Sequence, residues 1–167
     1  MDIFIQIGLS FLGTACFGVI FNVPIKAIPW CGIVGTLGWT IFHVLSQAGV
    51  YEVHASFVGA FVVAIVAYIY ARRLRMPMIV FSVSGIIPLV PGGIAYNAMR
   101  SVVEVDYLTG MEYGMRAFLI SGAIAMGLVF AEVIMQLMFR FMRKGRTSIQ
   151  SFVKEKKATK MPPKVTR

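Results

Sequence analysis

Charged residues are scarce in this sequence: 14% of its 167 residues are Asp, Glu, Lys or Arg, whereas 58% are hydrophobic. Soluble domains carry about 25% charged residues, so this scarcity excludes an ordinary soluble domain and indicates a polytopic membrane protein. The first ten residues, "MDIFIQIGLS", contain no Lys or Arg. A cleaved signal peptide begins with a basic region, so we expect the first apolar segment to be retained as a membrane span.

Histidine and cysteine are equally scarce, and their placement gives no catalytic or metal-binding pattern. His43 and His54 are far from any partner at metal-ligand spacing, and Cys16 and Cys31 both lie in apolar runs, where they are typical of packing residues. No Ser–His–Asp set and no phosphate-binding motif occurs. The sequence therefore predicts no enzyme, no cofactor and no bound metal.

Acidic residues are almost absent from the C-terminal end. From Arg140 onward there are ten Lys or Arg residues and one acid, Glu155, and these account for the whole formal net charge of +9. Only Phe152 interleaves an aromatic ring with these charges, so nucleic-acid binding is not predicted. We predict a transmembrane domain over residues 1–145 and a basic, disordered cytoplasmic tail over residues 146–167, which orients the protein and contacts anionic lipid.

Five apolar segments are long enough, or nearly so, to cross a bilayer, which takes about 20 residues of helix. Because lipid leaves no backbone group unpaired, the predicted fold is an all-α bundle of about five transmembrane helices. Its segments are residues 3–21, 30–45, 55–71, 76–90 and 113–139. Basic residues occur only in alternate loops, which places the N-terminus outside and the C-terminus in the cytoplasm if the fourth segment crosses.

The fourth segment contains "SGIIPLVPGG", residues 84–93, which no helix can pass through intact. Pro88 and Pro91 lack backbone donors, and Gly92 and Gly93 free the backbone to turn. In transporters, broken helices of this kind direct half-helix ends toward a substrate near the midplane, and a helix beginning at Gly93 would attract an anion. The alternative is a proline kink or re-entrant turn that only packs.

Polar side chains follow the break on one helical stripe. Tyr96, Arg100 and Glu104 are spaced by four residues, with Asn97 alongside. Arg100 could bind a carboxylate through two hydrogen bonds, or it could form a surface ion pair with Glu104 one turn away. Both alternatives stay open from sequence.

Two further polar positions lie elsewhere. Asn22 and Pro24 form a polar break in "FNVP", where Asn22 could cap a backbone group. Glu132 lies eight residues before Arg140, about 12 Å by helix rise. An ionisable group at that depth is costly and is therefore a candidate for proton coupling. A structural hydrogen bond with Gln136, or a salt bridge near the cytoplasmic surface, is the alternative.

Small residues recur at helical spacing in the first three segments. They predict close helix packing, either within this chain or against a partner subunit. These residues are Ser10, Thr14 and Gly18 in the first segment, Gly32, Gly35 and Gly38 in the second, and Ala55, Gly59, Ala67 and Ala71 in the third.

Two stretches, "FNVPIKAIPWCGIVGTLGW" at 21–39 and "IIPLVPGGIAYNAM" at 86–99, resemble the small subunit of the bacterial threonine/serine exporter family. The likeness covers roughly residues 11–130 and is nearest to the small subunits of two-component succinate exporters. It implies a subunit in the bacterial inner membrane that works with a larger membrane subunit. The substrate implied is a small carboxylate, either threonine/serine or a dicarboxylate such as succinate. Arg100 and the basic tail are not part of the family pattern. A non-transporting assembly or anchoring subunit is the alternative function.

Overall fold

The structure is a computed structural model in which the backbone of residues 3–158 and the side chains of residues 3–140 are described. Within that range it contains helices and no strand, so the predicted all-α fold is confirmed. The helices are α1 (Ile3–Ile20), α2 (Ile28–Gln47), α3 (Glu52–Leu74), α4 (Met78–Ile86), α5 (Gly92–Val103) and α6 (Tyr107–Ala158), and a 3-10 turn, Ile87–Leu89, follows α4.

Four of these helices, α1, α2, α3 and α6, are long and apolar enough to cross a membrane. The fifth candidate is the pair formed by α4 with its 3-10 turn and α5, which is bent by 52°. The chain divides into two compact units, Met1–Glu132 and Val133–Arg167. The first unit holds α1 to α5 and the beginning of α6. The predicted tail lies beyond the described side chains, and its boundary stays a prediction.

Helix α6 begins earlier than the last segment predicted from sequence, which started at residue 113. Its first residue is Tyr107. The reason is a helix cap: the Asp106 carboxylate accepts a hydrogen bond from the backbone N–H of Thr109 at 3.3 Å. A side-chain acceptor at this position satisfies one of the free donors of the first helical turn.

Four helix ends share one backbone geometry. After each of α1, α2, α3 and α5 a single residue adopts a left-handed conformation, and the next residue donates its N–H to the carbonyl five residues earlier, at 2.9–3.1 Å. This geometry turns the chain sharply, so consecutive helices are joined by short connections. The left-handed residues are Asn22 (φ 53°), Gly49 (φ 82°), Arg75 (φ 54°) and Val105 (φ 67°).

Helix α2 lies at the centre of the first unit and contacts α1, α3, α4 and the 3-10 turn. Its glycines are the points of close approach. Gly35 faces the Thr14 side chain, and Gly38 faces Val63 of α3 and Leu89 of the 3-10 turn. All the small residues singled out from the sequence in α1, α2 and α3 are buried. They pack within the chain, which confirms the intramolecular alternative for these faces.

Helices α3 and α6 run in the same direction. Near the start of α3, Glu52 forms a two-pronged ion pair with Arg116, with N–O distances of 2.7 and 3.0 Å. Further along α3, Phe57 contacts Phe130 with ring centroids 6.3 Å apart. Between them, Gly127 lies against the Phe57 carbonyl and Ala60. Along this contact the residue numbers of α3 and of α6 increase in the same direction, so the two helices are parallel. The chain between the end of α3 and the start of α6 therefore returns along the length of α3.

The buried glycine of α2 gives a test of this packing. A Cβ atom at Gly38 would lie 3.3 Å from Leu89 Cδ1, 3.5 Å from the Gly59 carbonyl oxygen, and closer still to Val63. Overpacking of this kind costs about 1–3 kcal/mol. We therefore expect Gly38→Val to lower the apparent melting temperature of the purified protein by several degrees. Gly13→Val is the matched control, because a Cβ there meets no atom within 4 Å. Equal effects of the two changes would contradict the packing.

Candidate functional site at the broken segment

The break forms because the hydrogen-bond ladder of α4 cannot continue past its end at Ile86. Pro88 and Pro91 carry no N–H to donate to the preceding turn. The chain tightens into the 3-10 turn, where the Val90 N–H donates to the Ile87 carbonyl at 3.3 Å. Val90 itself is extended, with φ −61° and ψ 129°. A new helix, α5, then begins at Gly92.

Protein surrounds the 3-10 turn on several sides, since it contacts α1, α2, α3 and α4. Leu89 is 5% exposed and packs on Gly38 of α2 and Gly59 of α3. Irregular backbone at membrane depth requires protein or a water-filled cavity around it, and these helices meet that requirement. Gly38 lies at the middle of α2, ten residues from its first residue, or about 15 Å by helix rise. The break therefore lies halfway along the bundle.

Helix α5 leaves the break with most of its surface exposed. Ile94, Ala98 and Ser101 are the residues on its inner side. Tyr96, Asn97 and Arg100, which the sequence singled out, are exposed, Tyr96 by 67%. These three side chains therefore lie on the outside of the chain and do not line its interior.

Arg100 forms the predicted ion pair with Glu104. Its Nε lies 2.8 Å from Glu104 Oε1, and both side chains are more than half exposed. An exposed pair of this kind contributes little to stability, because water screens the two charges. Of the two alternatives for Arg100, the structure contains the surface ion pair.

Gly92 and Gly93 form the first turn of α5 and are exposed. A Cβ atom at either position would meet nothing within 4 Å. Pro91, the residue before the helix, accepts a hydrogen bond from Ala95 at 3.0 Å. The N-terminus of α5, with its positive dipole end, thus lies beside the half-buried prolines of the break, and the structure brings Pro88, Pro91, Gly92 and Gly93 together.

Asn22 and Pro24 lie apart from this group, in the connection between α1 and α2. Asn22 is exposed and has φ 53°; its N–H donates to the Val19 carbonyl at 3.0 Å, so it ends α1 through its backbone. Asparagine tolerates this conformation better than most residues. This connection precedes the first residue of α2, whereas Gly38 lies at the middle of that helix. The structure therefore does not bring the "FNVP" stretch to the break.

Glu132 lies on α6 with an exposed side chain. It follows Gly127, which packs on α3, by five residues, about 7 Å along the helix. It is therefore near the middle of the bundle in depth, with its side chain on the outer surface of this chain.

Sequence reasoning missed two polar residues on α1. The Oε1 atom of Gln6 and the Oγ atom of Ser10 are buried, and neither has a hydrogen-bond partner in the protein. Ser10 had been interpreted as a packing residue, and Gln6 was not considered. The signal was present in the spacing, because Gln6, Ser10 and Thr14 follow one another at four-residue intervals in an otherwise apolar segment.

An open groove of about 470 Å³ also lies between α3 and α6. Its walls are apolar apart from His54, so it suits a hydrocarbon surface better than a hydrophilic solute. Within the described residues, no three His, Cys, Asp or Glu side chains come together in a metal-binding arrangement.

Long apolar helices around a buried backbone break define a multi-pass membrane protein of the transport class. Residues 6–134 match the family model described as "Threonine/Serine exporter, ThrE". This is well over half of the chain, and the chain therefore belongs to the threonine/serine exporter family. The family resemblance inferred from the two sequence stretches is confirmed. Membership points to a transporter rather than an enzyme. No solved structure matches the chain.

Proposed function

We propose that this chain is one subunit of a secondary exporter that moves a small carboxylate metabolite out of the cytoplasm. The metabolite is threonine or serine, or a dicarboxylate such as succinate, and the second component is a larger membrane subunit of the same family in the bacterial inner membrane. The observation that carries the proposal is the broken segment at mid-length, enclosed by α1, α2 and α3 in a chain of an exporter family. Broken helices at this depth form substrate sites in other transporters.

In this proposal the pair of α4 and α5 crosses the membrane as one span. The parallel course of α3 and α6 supports this crossing. Helix α4 begins next to the end of α3, whereas α6 begins beyond the start of α3, so α4 and α5 together connect the two ends of the bundle. Five crossings then place Lys26, Arg72, Arg73, Arg75 and the basic tail on one side. By the positive-inside rule that side is the cytoplasm.

A topology measurement tests the five crossings. A reporter fused after Arg146 is expected to be active only in its cytoplasmic form, and one fused after Gln47 only in its external form. Fusions to a pair of reporters with opposite requirements provide the control at each site. The same location for both sites would contradict the five-span topology.

A partner subunit is needed because the interior of this chain offers few free polar groups. The buried hydroxyl groups of Thr14, Ser56 and Ser84 donate to carbonyls of their own helices. Such groups are already satisfied and cannot line a hydrophilic route on their own. The exposed face of α5 and the open glycines Gly114 and Gly122 of α6 are available to the larger subunit.

The alternative, a non-transporting anchoring subunit, rests on those same two glycines of α6. Its earlier basis, the small residues of α1, α2 and α3, does not support it, because those residues are buried within the chain. The two functions differ in what they require of the break: a pathway needs its geometry, whereas an anchor does not.

Substitutions at the break separate the two functions. We expect Pro91→Ala combined with Gly92→Ala to reduce export several-fold, because a restored N–H at residue 91 lets the α4 ladder extend toward α5. Neither change creates a clash, since a Cβ at Gly92 meets nothing within 4 Å. Efflux of labelled threonine and of labelled succinate from cells expressing both subunits is the measurement.

Co-purification of the larger subunit with the variant is the control for assembly. Gly13→Ala, another open glycine in a membrane helix, is the matched substitution and is expected to leave efflux unchanged. Normal efflux from an assembled Pro91/Gly92 variant would support the anchoring function.

For the carboxylate we propose the N-terminus of α5 at Gly92 and Gly93, where backbone N–H groups and the helix dipole favour an anion. Arg100 is less suited, because its guanidinium is exposed and paired with Glu104.

A substitution at Glu132 distinguishes a role in proton coupling from a structural role. If Glu132 carries coupled protons, Glu132→Gln removes export driven by a pH gradient but preserves exchange at equal pH, which needs no net proton movement. We expect the structural result, in which both activities survive or are lost together with the protein, because the Glu132 side chain is exposed on the outside of this chain. Glu112→Gln, another exposed acid of α6, is the control. Loss of gradient-driven export alone would establish coupling.

A further inference from the structure

Most Ser and Thr hydroxyl groups in the described helices follow one pattern, from which Ser10 departs. Seven Ser or Thr hydroxyls in the described residues donate to the carbonyl four residues earlier, at 2.7–3.1 Å. This bond satisfies a hydroxyl inside an apolar helix without any outside partner. Ser10 is 9% exposed, yet its Oγ makes no such bond and has no other partner.

Gln6 lies one turn before Ser10 on the same face of α1, and it also carries an unsatisfied polar atom. Its Oε1 atom is buried and also lacks a partner. An amide or hydroxyl group without a hydrogen bond in an apolar environment destabilises the folded protein. Native proteins satisfy nearly all such groups with protein, water or ligand. Two of them one turn apart indicate a common external partner.

The register of α1 on α2 locates these two residues. Gly18 of α1 faces Cys31 of α2, and Thr14 faces Gly35, so the helices are antiparallel. Continuing by one turn brings Ser10 to the level of Gly38, the glycine that contacts Leu89 of the 3-10 turn. Helix α1 also contacts the 3-10 turn directly. Ser10 therefore lies at the depth of the backbone break.

One turn further toward the start of α1, the residues lie beside the end of α2. Gln6 reaches the level of Phe42 and His43, and the His43 ring stacks on Trp39 with centroids 4.8 Å apart. His43 is hydrogen-bonded to Gln47 at 3.0 Å, and Gln47 is the last residue of α2. Polar groups thus continue from the break at mid-depth to the end of the bundle that lies opposite the basic loops.

We propose that Ser10 and Gln6 form a hydrogen-bonding subsite for the transported solute, on the path between the break and the external end of the bundle. Gln6 Oε1 can only accept a hydrogen bond, so the solute group bound there is a donor, an ammonium or a hydroxyl group. Ser10 Oγ accepts from the same group or donates to a neighbouring oxygen of the solute. The subsite rests on the proposed export function, and it supplies the hydrophilic lining that the other buried hydroxyls do not.

Accessibility of a cysteine at residue 10 tests the subsite without depending on transport. The complex is prepared with Cys16→Ala and Cys31→Ala, and Ser10→Cys is introduced as a nearly isosteric thiol. Right-side-out and inverted vesicles are treated with a membrane-impermeant methanethiosulfonate reagent. Ser56→Cys is the matched control, because Ser56 is fully buried and bonded within α3.

We expect Ser10→Cys to be labelled from the external side and Ser56→Cys to remain unlabelled. Threonine, whose ammonium and hydroxyl groups are donors, should slow the labelling about tenfold at a concentration about ten times its Kd. Succinate has no donor group and should not slow it. Absence of labelling overturns the subsite even where the wild type exports both solutes. Labelling that threonine does not slow assigns the two atoms to water alone and also overturns it.

Kinetics of the Ser10→Ala variant give the second measurement. Loss of one neutral hydrogen bond to the solute is expected to raise KM about fivefold. Thermal stability without solute should rise, because the change removes a buried hydroxyl that has no partner within the protein. Ser56→Ala should leave KM unchanged. A fall in stability with no change in KM would show that Ser10 is structural, and absence of wild-type transport would reject the export function separately from the labelling result.

Discussion

The irregular backbone between Ile86 and Gly92 is the constraint on which the rest of this bundle depends. In hydrocarbon, every backbone group left without a partner is costly, so a broken helix survives only where other helices cover it. Here the cover is close because it is built on glycines: Leu89 packs on Gly38 and Gly59, and Gly85 faces Val34 and Val63. The small residues of α2 and α3 therefore pack against the break, and because they are buried they cannot contact a partner subunit.

Satisfaction of polar groups organises the interior in a second way. Most buried hydroxyls bond to their own helix, and this makes them compatible with an apolar core while removing them from any solute. Buried polar atoms without a hydrogen-bond partner are therefore candidates for a function, because the protein keeps them at a cost in stability. In the described residues those atoms are on α1, with Ser10 at the depth of the break and Gln6 one turn nearer the start of the helix. They are not on α5, where Tyr96, Asn97 and Arg100 are exposed.

The exposed surface of α5 bears on the proposal that a second component completes the exporter. Helix α5 presents Tyr96, Asn97 and Arg100 on its exposed side, beside a helix N-terminus open to the surroundings. A polar face on the outside of a membrane bundle needs a protein neighbour or the membrane interface. The parallel packing of α3 and α6 leaves this side of the chain uncovered, so a larger subunit placed there would enclose the break from its remaining side.

Much of this protein follows from sequence alone. Apolar segments of sufficient length determine a helical membrane bundle, because no other backbone arrangement is satisfied in lipid. Pro88, Pro91 and the two following glycines determine where a helix must break, because proline lacks the N–H that the ladder requires. Two short stretches were enough to indicate the exporter family, and small residues at four-residue spacing already indicated close packing.

Tertiary structure alone decided which faces those residues present. The same spacing that places Tyr96, Arg100 and Glu104 on one stripe is compatible with an inward or an outward face, and in the packed structure that face is exposed. The spacing of Gln6, Ser10 and Thr14 places them on one stripe, but it does not show which of them lacks a hydrogen bond, since a hydroxyl in an apolar helix is usually satisfied by its own backbone. Whether it is satisfied depends on side-chain rotamers and on the register of neighbouring helices, which are properties of the packed bundle and not of any one segment.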